Sequence, residues 1–284
     1  MAELVIHILN GISYGMILFL LASGLSFTIG IMGILNLTHG SLYMIGAYVG
    51  LSMVGMGGDF WFAALVGGVI TALIGLILER TFFRFLYKQI NEQVLLTLGF
   101  VYIFSNLVLW IWGPFPKIAA APSYLVQSIV IGNFSFPVYR FALIVIGLII
   151  GAGMWWFQEK TKIGAIVRAG MDDKEMTMGL GINYGVIASS TLCLGAFLGG
   201  LAGFLGAPIL GAQSDMGFPI LLLTLVVIVV GGEGSVQGAL VGALLVGIID
   251  AFGRAFFPDF AMFTVYAILI AFLLVKPTGL FGRR

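Results

Sequence analysis

No lysine or arginine occurs before Arg80, and uncharged apolar runs long enough to cross a lipid bilayer recur along the whole chain. A helix that spans the hydrocarbon core needs about 20 mostly apolar residues, because lipid offers the backbone no hydrogen-bond partners. Of the 284 residues 61% are apolar and only 9% are charged, against about 25% charged in an average soluble domain. A water-soluble fold of this size could not cover its surface with so few charges. The sequence is therefore that of an all-α polytopic membrane protein. Its 41 glycines fall inside apolar runs without a three-residue period, which fits close helix packing rather than collagen or disorder.

Apolar runs between polar interruptions give nine segments, at residues 4–31, 40–57, 60–78, 94–113, 141–157, 184–207, 218–230, 236–256 and 260–275. Eight to ten transmembrane helices are expected, in a single transmembrane domain over residues 1–284. Lysine and arginine stay preferentially on the cytoplasmic side. With the N-terminus outside, Arg80, Arg84, Lys88, Lys160, Lys162, Arg168, Lys174, Lys276, Arg283 and Arg284 fall inside, and only Lys117, Arg140 and Arg254 outside. That split selects a multi-pass protein with an external N-terminus and a cytoplasmic C-terminus. The N-terminus lacks the positive region of a cleaved signal peptide, so the first span is expected to be retained. A net charge of +1 leaves no basic surface for nucleic acid. The single cysteine, Cys193, cannot form an intrachain disulfide, and two distant histidines give a metal site little support.

Two segments are irregular. Residues 218–230 are short for a crossing and end in Gly231-Gly232-Glu233-Gly234, and residues 40–57 follow the polar stretch Asn36-Leu37-Thr38-His39. Irregular backbone at membrane depth survives only where protein or a wet cavity supplies its hydrogen bonds, so both places are candidates for broken or re-entrant helices beside a pathway. Both read as cytoplasmic-side turns, and the spans that follow carry Gly46-Ala47 and Gly242-Ala243 at comparable depth. A parallel internal duplication and a chance likeness are both open. In the external stretch 114–140, Ser128 to Ile131 and Phe134 to Phe136 flank Gly132-Asn133 as a small hairpin would.

Single residues divide between structural and functional readings. Asp250 and Arg254 are four apart on one helix face and are expected to pair, which lowers the cost of intramembrane charge. Glu79 with Arg80 reads as an anchor at a span end, and Glu233 as a helix cap. Trp61, Trp110, Trp112, Trp155 and Trp156 fall near span ends, as an interfacial belt does. His39 either fixes the turn before its span or lines a gate, and His7 reads as interfacial. No nucleophile–base constellation and no paired carboxylates occur in a plausible pocket, so an enzyme is not expected.

Residues 159–183 form the longest polar stretch between spans and hold eight of the 25 charged residues. Ile163, Ile166, Val167 and Gly170 recur at helical spacing. Asp172 then offers an N-cap with Glu175 three residues on, so two short helices with a hinge near Gly170 are expected. On its residues alone this is either a solvated surface loop or a docking element.

The run Gly164-Ala165-Ile166-Val167-Arg168-Ala169, followed by Asp172 to Glu175 and Gly181-Ile182-Asn183, resembles the cytoplasmic coupling segment of the branched-chain amino-acid ABC transporter permease family. Four further stretches resemble that family: residues 9–15, the block 33–48 with its Asn36-Leu37-Thr38-His39-Gly40-Ser41-Leu42-Tyr43 centre, the glycine-rich 231–247, and the tail Lys276-Pro277-Thr278-Gly279-Leu280-Phe281-Gly282. The compact chain resembles the shorter of the two permease subunits.

The resemblance implies an ABC importer permease fold in the bacterial-type inner membrane. It also implies partners: a second homologous permease subunit, two cytoplasmic ATP-binding subunits, an external solute-binding protein and a small-molecule solute such as a branched-chain amino acid. No ATP-binding loop of the Gly-x-x-x-x-Gly-Lys-Ser/Thr kind occurs, so ATP would be used by partner subunits and this chain would bind no cofactor. Under this reading Gly164, Arg168, Ala169, Gly170, Asp172, Glu175 and Gly181 dock the ATPase, and Asn36, Thr38, His39, Ser41 and Tyr43 line the pathway. The rival is an ion-coupled secondary transporter, which commonly needs a dense ionisable site near the midplane that this sequence lacks.

Overall fold

The computed structural model describes residues 2–33, 35–86, 89–131, 134–276 and 279–281. Ile34, Lys88, the Gly132-Asn133 turn, Pro277, Thr278, Gly282, Arg283 and Arg284, all used in the sequence reading, lie outside them. Among the described residues there are eleven α-helices: α1 (Ala2–Met32), α2 (Thr38–Gly55), α3 (Phe60–Thr81), α4 (Ile90–Trp112), α5 (Val138–Lys160), α6 (Lys162–Asp172), α7 (Lys174–Gly179), α8 (Tyr184–Leu210), α9 (Gly217–Gly231), α10 (Val236–Phe256) and α11 (Ala261–Val275). The nine apolar segments coincide with α1–α5 and α8–α11. Six of these, α1, α3, α4, α5, α8 and α10, are long and apolar enough to cross a membrane. The other three apolar helices fall short of a full crossing by that measure: α9 and α11 have 15 residues each, and α2 opens on Thr-His-Gly-Ser, which dilutes its apolar character.

Local chemistry sets the helix ends. Asp59 accepts from the Trp61 and Phe62 amides and starts α3; Thr161 accepts from Gly164 N and starts α6; Asn183 accepts from Val186 N and starts α8. Ser235, not Glu233, caps α10 by accepting from Gly238 N at 3.1 Å, because its side chain and not the exposed Glu233 faces the free amides. β1 (Ser128–Ile131) and β2 (Phe134–Pro137) pair antiparallel with Ile131 opposite Phe134, the hairpin expected from the sequence.

α1 and α8 form the centre. The most apolar stretch of α1 is 89% buried and that of α8 72%, whereas in α4 only 17% is buried. α1 packs against α10 and α8, and α8 is clasped on its other sides by α2 and α3. α3, α4, α5 and α11 turn rows of Leu, Ile, Val and Phe outward, as helices bordering hydrocarbon do. The central helices approach through glycine: Gly46 of α2 lies directly on the backbone of Gly200 in α8, leaving no room for a Cβ.

α2 and α9 are broken-helix elements. Their first turns meet, with Gly40 against the Gly217 carbonyl and the Leu221 side chain. The meeting point is deep: His39 Nε2 lies 3.1 Å from the Leu21 carbonyl, eleven residues before the end of α1 or about 16 Å along its axis. His39 also borders Gly199, in the middle of α8. The expected position of His39 near the cytoplasmic end is thus corrected, because the chain climbs back into the bundle between α1 and α2 before helix resumes. The two irregular turns consequently sit at different depths, since α10 starts at the end of the bundle beside α6, and their likeness does not extend to an equivalent placement.

Candidate functional site

The expected pathway residues form one interior cluster. Asn36 is 4% exposed, Thr38 and His39 0%, Ser41 1% and Tyr43 2%. Asn36 Oδ1 accepts from the Thr38 amide at 3.0 Å, which ties the first free amide of α2 to the incoming strand of chain. Thr38 Oγ1 reaches the Thr97 carbonyl of α4 at 3.3 Å. Three polar atoms in this cluster, Asn36 Nδ2, His39 Nδ1 and Ser41 Oγ, are buried without a hydrogen-bond partner. A buried polar atom left unpaired costs roughly 1–3 kcal/mol, so three within six residues mark a place where packing alone does not explain the side chains. Around them the positive ends of α2 and α9 converge.

The coupling-like segment is built differently. Its second helix is capped by Asp173, whose Oδ1 accepts from Met176 N at 2.9 Å. The expected cap, Asp172, is the last residue of α6; Asp173 alone has the extended backbone that points a carboxylate at the free amides. The hinge is therefore at Asp173 and not at Gly170, which is buried against the Tyr184 ring. Arg168 lies 3.5 Å from Glu159 and donates to the Gln158 carbonyl, folding α6 back onto the end of α5. Gly164 permits that fold, since a Cβ there would strike the Phe157 and Gln158 carbonyls. Ala169, Asp172, Glu175 and Gly181 face outward, joined by Ile163, Met176, Met178 and Leu180, the last 72% exposed.

A polar knot that the sequence did not single out joins this segment to the bundle. Gln158, 5% exposed, donates to the Gly234 carbonyl at 3.0 Å and accepts from Val236 N at 3.4 Å. Ser26 of α1 accepts from Gly234 N at 2.9 Å. Met171 of α6 fills the space beside Gly30 and Gly234, and the Tyr184 hydroxyl donates to the Ile31 carbonyl. The tail closes the same region: Leu280 N and Phe281 N donate to the Val230 and Gly231 carbonyls, satisfying the end of α9. Each of these bonds ties a main-chain group to a partner more than 40 residues away, which no local pattern could have flagged.

At the opposite end the expected pair is present: Arg254 Nε lies 2.7 Å from Asp250 Oδ2. Glu79, expected as an anchor, is instead 2% exposed and accepts from Ser189 Oγ at 2.5 Å.

A family model described as the permease component of branched-chain amino acid transport systems matches residues 7–273. The chain is 30% identical over 299 residues to the high-affinity branched-chain amino acid transport system permease protein BraD of Pseudomonas aeruginosa, covering 98% of this chain and 95% of that one. It is 28% identical over 291 residues to the corresponding protein LivH of Escherichia coli, covering 96% and 94%. A probable branched-chain amino acid transport permease protein LivH of Methanocaldococcus jannaschii is 26% identical, covering 97% and 92%. Among solved structures, PsaBC from Streptococcus pneumoniae in complex with Fab matches with a TM-score of 0.50 at 14% identity, covering 94% of this chain and 89% of that chain. The last likeness bears on the fold alone.

Proposed function

Because this chain belongs to the family of branched-chain amino acid transport permease components, we propose that it is the membrane-spanning subunit through which an ATP-driven importer passes a small amino acid. The observation that carries the reading is the pairing of two features in one chain: a buried polar cluster where two short helices meet, and an amphipathic helix pair with exposed apolar side chains outside the bundle. A second permease subunit completes the passage, an external binding protein delivers the solute, and two ATP-binding subunits dock on α6 and α7 in the cytoplasm. The N-terminus then lies outside, a reading supported by the bias of lysine and arginine toward the other side.

Asn36, Thr38, His39, Ser41 and Tyr43 form the wall of the passage, sealed in this arrangement by α1, α4, α8 and α9. The unpaired Asn36 and Ser41 groups and the convergent helix starts offer donors to a carboxylate, while binding stays weak enough for release. ATPase closure pushes α6, and the knot at Gln158, Gly234 and Ser26 carries the push to α1 and α10 and to the end of α9. The test is ATP-dependent leucine uptake in proteoliposomes holding the full complex. Arg168→Ala or Gly170→Leu should abolish uptake and copurification of the ATP-binding subunits together, and uptake that survives both substitutions would refute the docking role.

A further inference from the structure

At the end of the bundle where α1 and α5 begin and α8 and α10 finish, a pocket of about 370 Å³ opens between these four helices. That volume is at the small end of the range of about 300–1,000 Å³ for small-molecule sites. One wall carries the Asp250–Arg254 ion pair, with the Asp250 side chain 9% and the Arg254 side chain 63% exposed. The facing wall carries Arg140, whose Nη1 donates to Asn10 Oδ1 at 2.8 Å. Among the described residues Arg140 forms no ion pair, and Asp250 is already held by Arg254, so the pocket lining holds two guanidinium groups and one acid. Tyr14 lines the floor. Ile209 and Leu210 give the pocket an apolar side, and His7, against Phe252 and Phe256 with the nearer ring at 5.8 Å, forms its rim.

A half-buried guanidinium that hydrogen-bonds a neutral amide and no carboxylate keeps its charge available to an anion. Its planar fork presents parallel N–H donors that match a carboxylate. A cation is repelled by the surplus positive charge, and a simple anion makes no contact with the Asp250 oxygen that Arg254 Nε does not take or with the Tyr14 hydroxyl. A ligand with a carboxylate, an ammonium group and an apolar side chain satisfies all three surfaces. We propose that this pocket binds a free apolar α-amino acid as a zwitterion, its carboxylate on Arg140, its ammonium between Asp250 and Tyr14, and its side chain against Ile209 and Leu210. The floor leads inward: one helical turn from Leu210, Gly206 of α8 faces the Tyr43 hydroxyl of the interior cluster. The pocket is then a receiving site within this subunit, ahead of the sealed passage. The choice of amino acid rests on the transport reading above, whereas the charge pattern does not.

The test uses the assembled transporter in right-side-out vesicles, carrying Cys193→Ser to remove the native thiol and Ala255→Cys at the pocket. Labelling by a membrane-impermeant maleimide is timed with L-leucine, with isocaproate, which lacks the ammonium group, and with isoamylamine, which lacks the carboxylate. L-leucine should slow labelling most, isocaproate less, and isoamylamine least. Arg140→Gln should raise the leucine concentration needed for half-protection roughly 10- to 100-fold while unprotected labelling proceeds normally. Should that variant fail to insert, Tyr14→Phe should raise it roughly 2- to 10-fold. No protection by leucine, or protection indifferent to both substitutions, overturns the proposal. ATP-driven leucine uptake is measured in the same vesicles, without the labelling substitutions. Uptake without protection sinks the pocket and leaves the transport reading; protection without uptake does the reverse.

Discussion

The interior turn at residues 36–43 and the helix pair α6–α7 look alike as sequence, each a polar interruption between apolar runs. Their physical states are opposite. The turn is fully sealed, with three polar atoms unpaired, and it depends on backbone meeting backbone where Gly40 touches Gly217. The helix pair lies outside the bundle with its first turns capped by Thr161 and Asp173 and its apolar side chains open. The polar cluster is distinguished by what it lacks, and the helix pair, proposed above as a docking element, by what it leaves exposed. Substitutions should therefore act on assembly and stability in different proportions in the two regions.

The largest effect is expected in the interior. Gly40→Leu puts a side chain into the α9 backbone, and overpacking costs roughly 1–3 kcal/mol even where side chains can yield. The purified complex should lose its cooperative thermal unfolding transition, and an unchanged midpoint would break the picture of touching helix starts. Next, Met176→Glu combined with Leu180→Glu should weaken association with the ATP-binding subunits roughly 10- to 100-fold while the permease melts normally. Copurification at graded salt measures this. Gln158→Leu leaves the Gly234 carbonyl and Val236 amide without their partner, at roughly 1–3 kcal/mol for each buried group. Hydrogen exchange at residues 232–236 should accelerate. Asp173→Ala should cost about 1 kcal/mol of local helix stability and Asp173→Asn much less, since asparagine also caps. The smallest change in stability is expected for Ser41→Ala, which removes a hydroxyl that has no partner and should leave melting unchanged or slightly raised. Leucine uptake should fall nonetheless, and only that combination separates a passage wall from a packing residue.

Much of the architecture was legible in the chain. Apolar runs gave every long helix within a few residues, because a backbone in lipid has few alternatives to helix. The Asp250–Arg254 pair followed from helical spacing alone, and the hairpin from its flanking strands. What escaped depended on neighbours distant in sequence. Asp172 and Asp173 are equally good caps by residue type, and the backbone angle at the end of α6 chose between them. Gln158 carried no signal, because its partners are the main-chain groups of Gly234 and Val236.

By itself the sequence determined that the chain crosses a membrane, roughly where its helices run and which family it resembles. These follow from composition and period, which act locally on each segment. Depth was decided only by the tertiary structure. A polar interruption reads the same in sequence whether it emerges into water or turns back inside the bundle, and the difference lies in which distant backbone comes to meet it. For residues 36–43 that backbone belongs to α1, α4, α8 and α9, and it turns a sequence-level loop into an interior site.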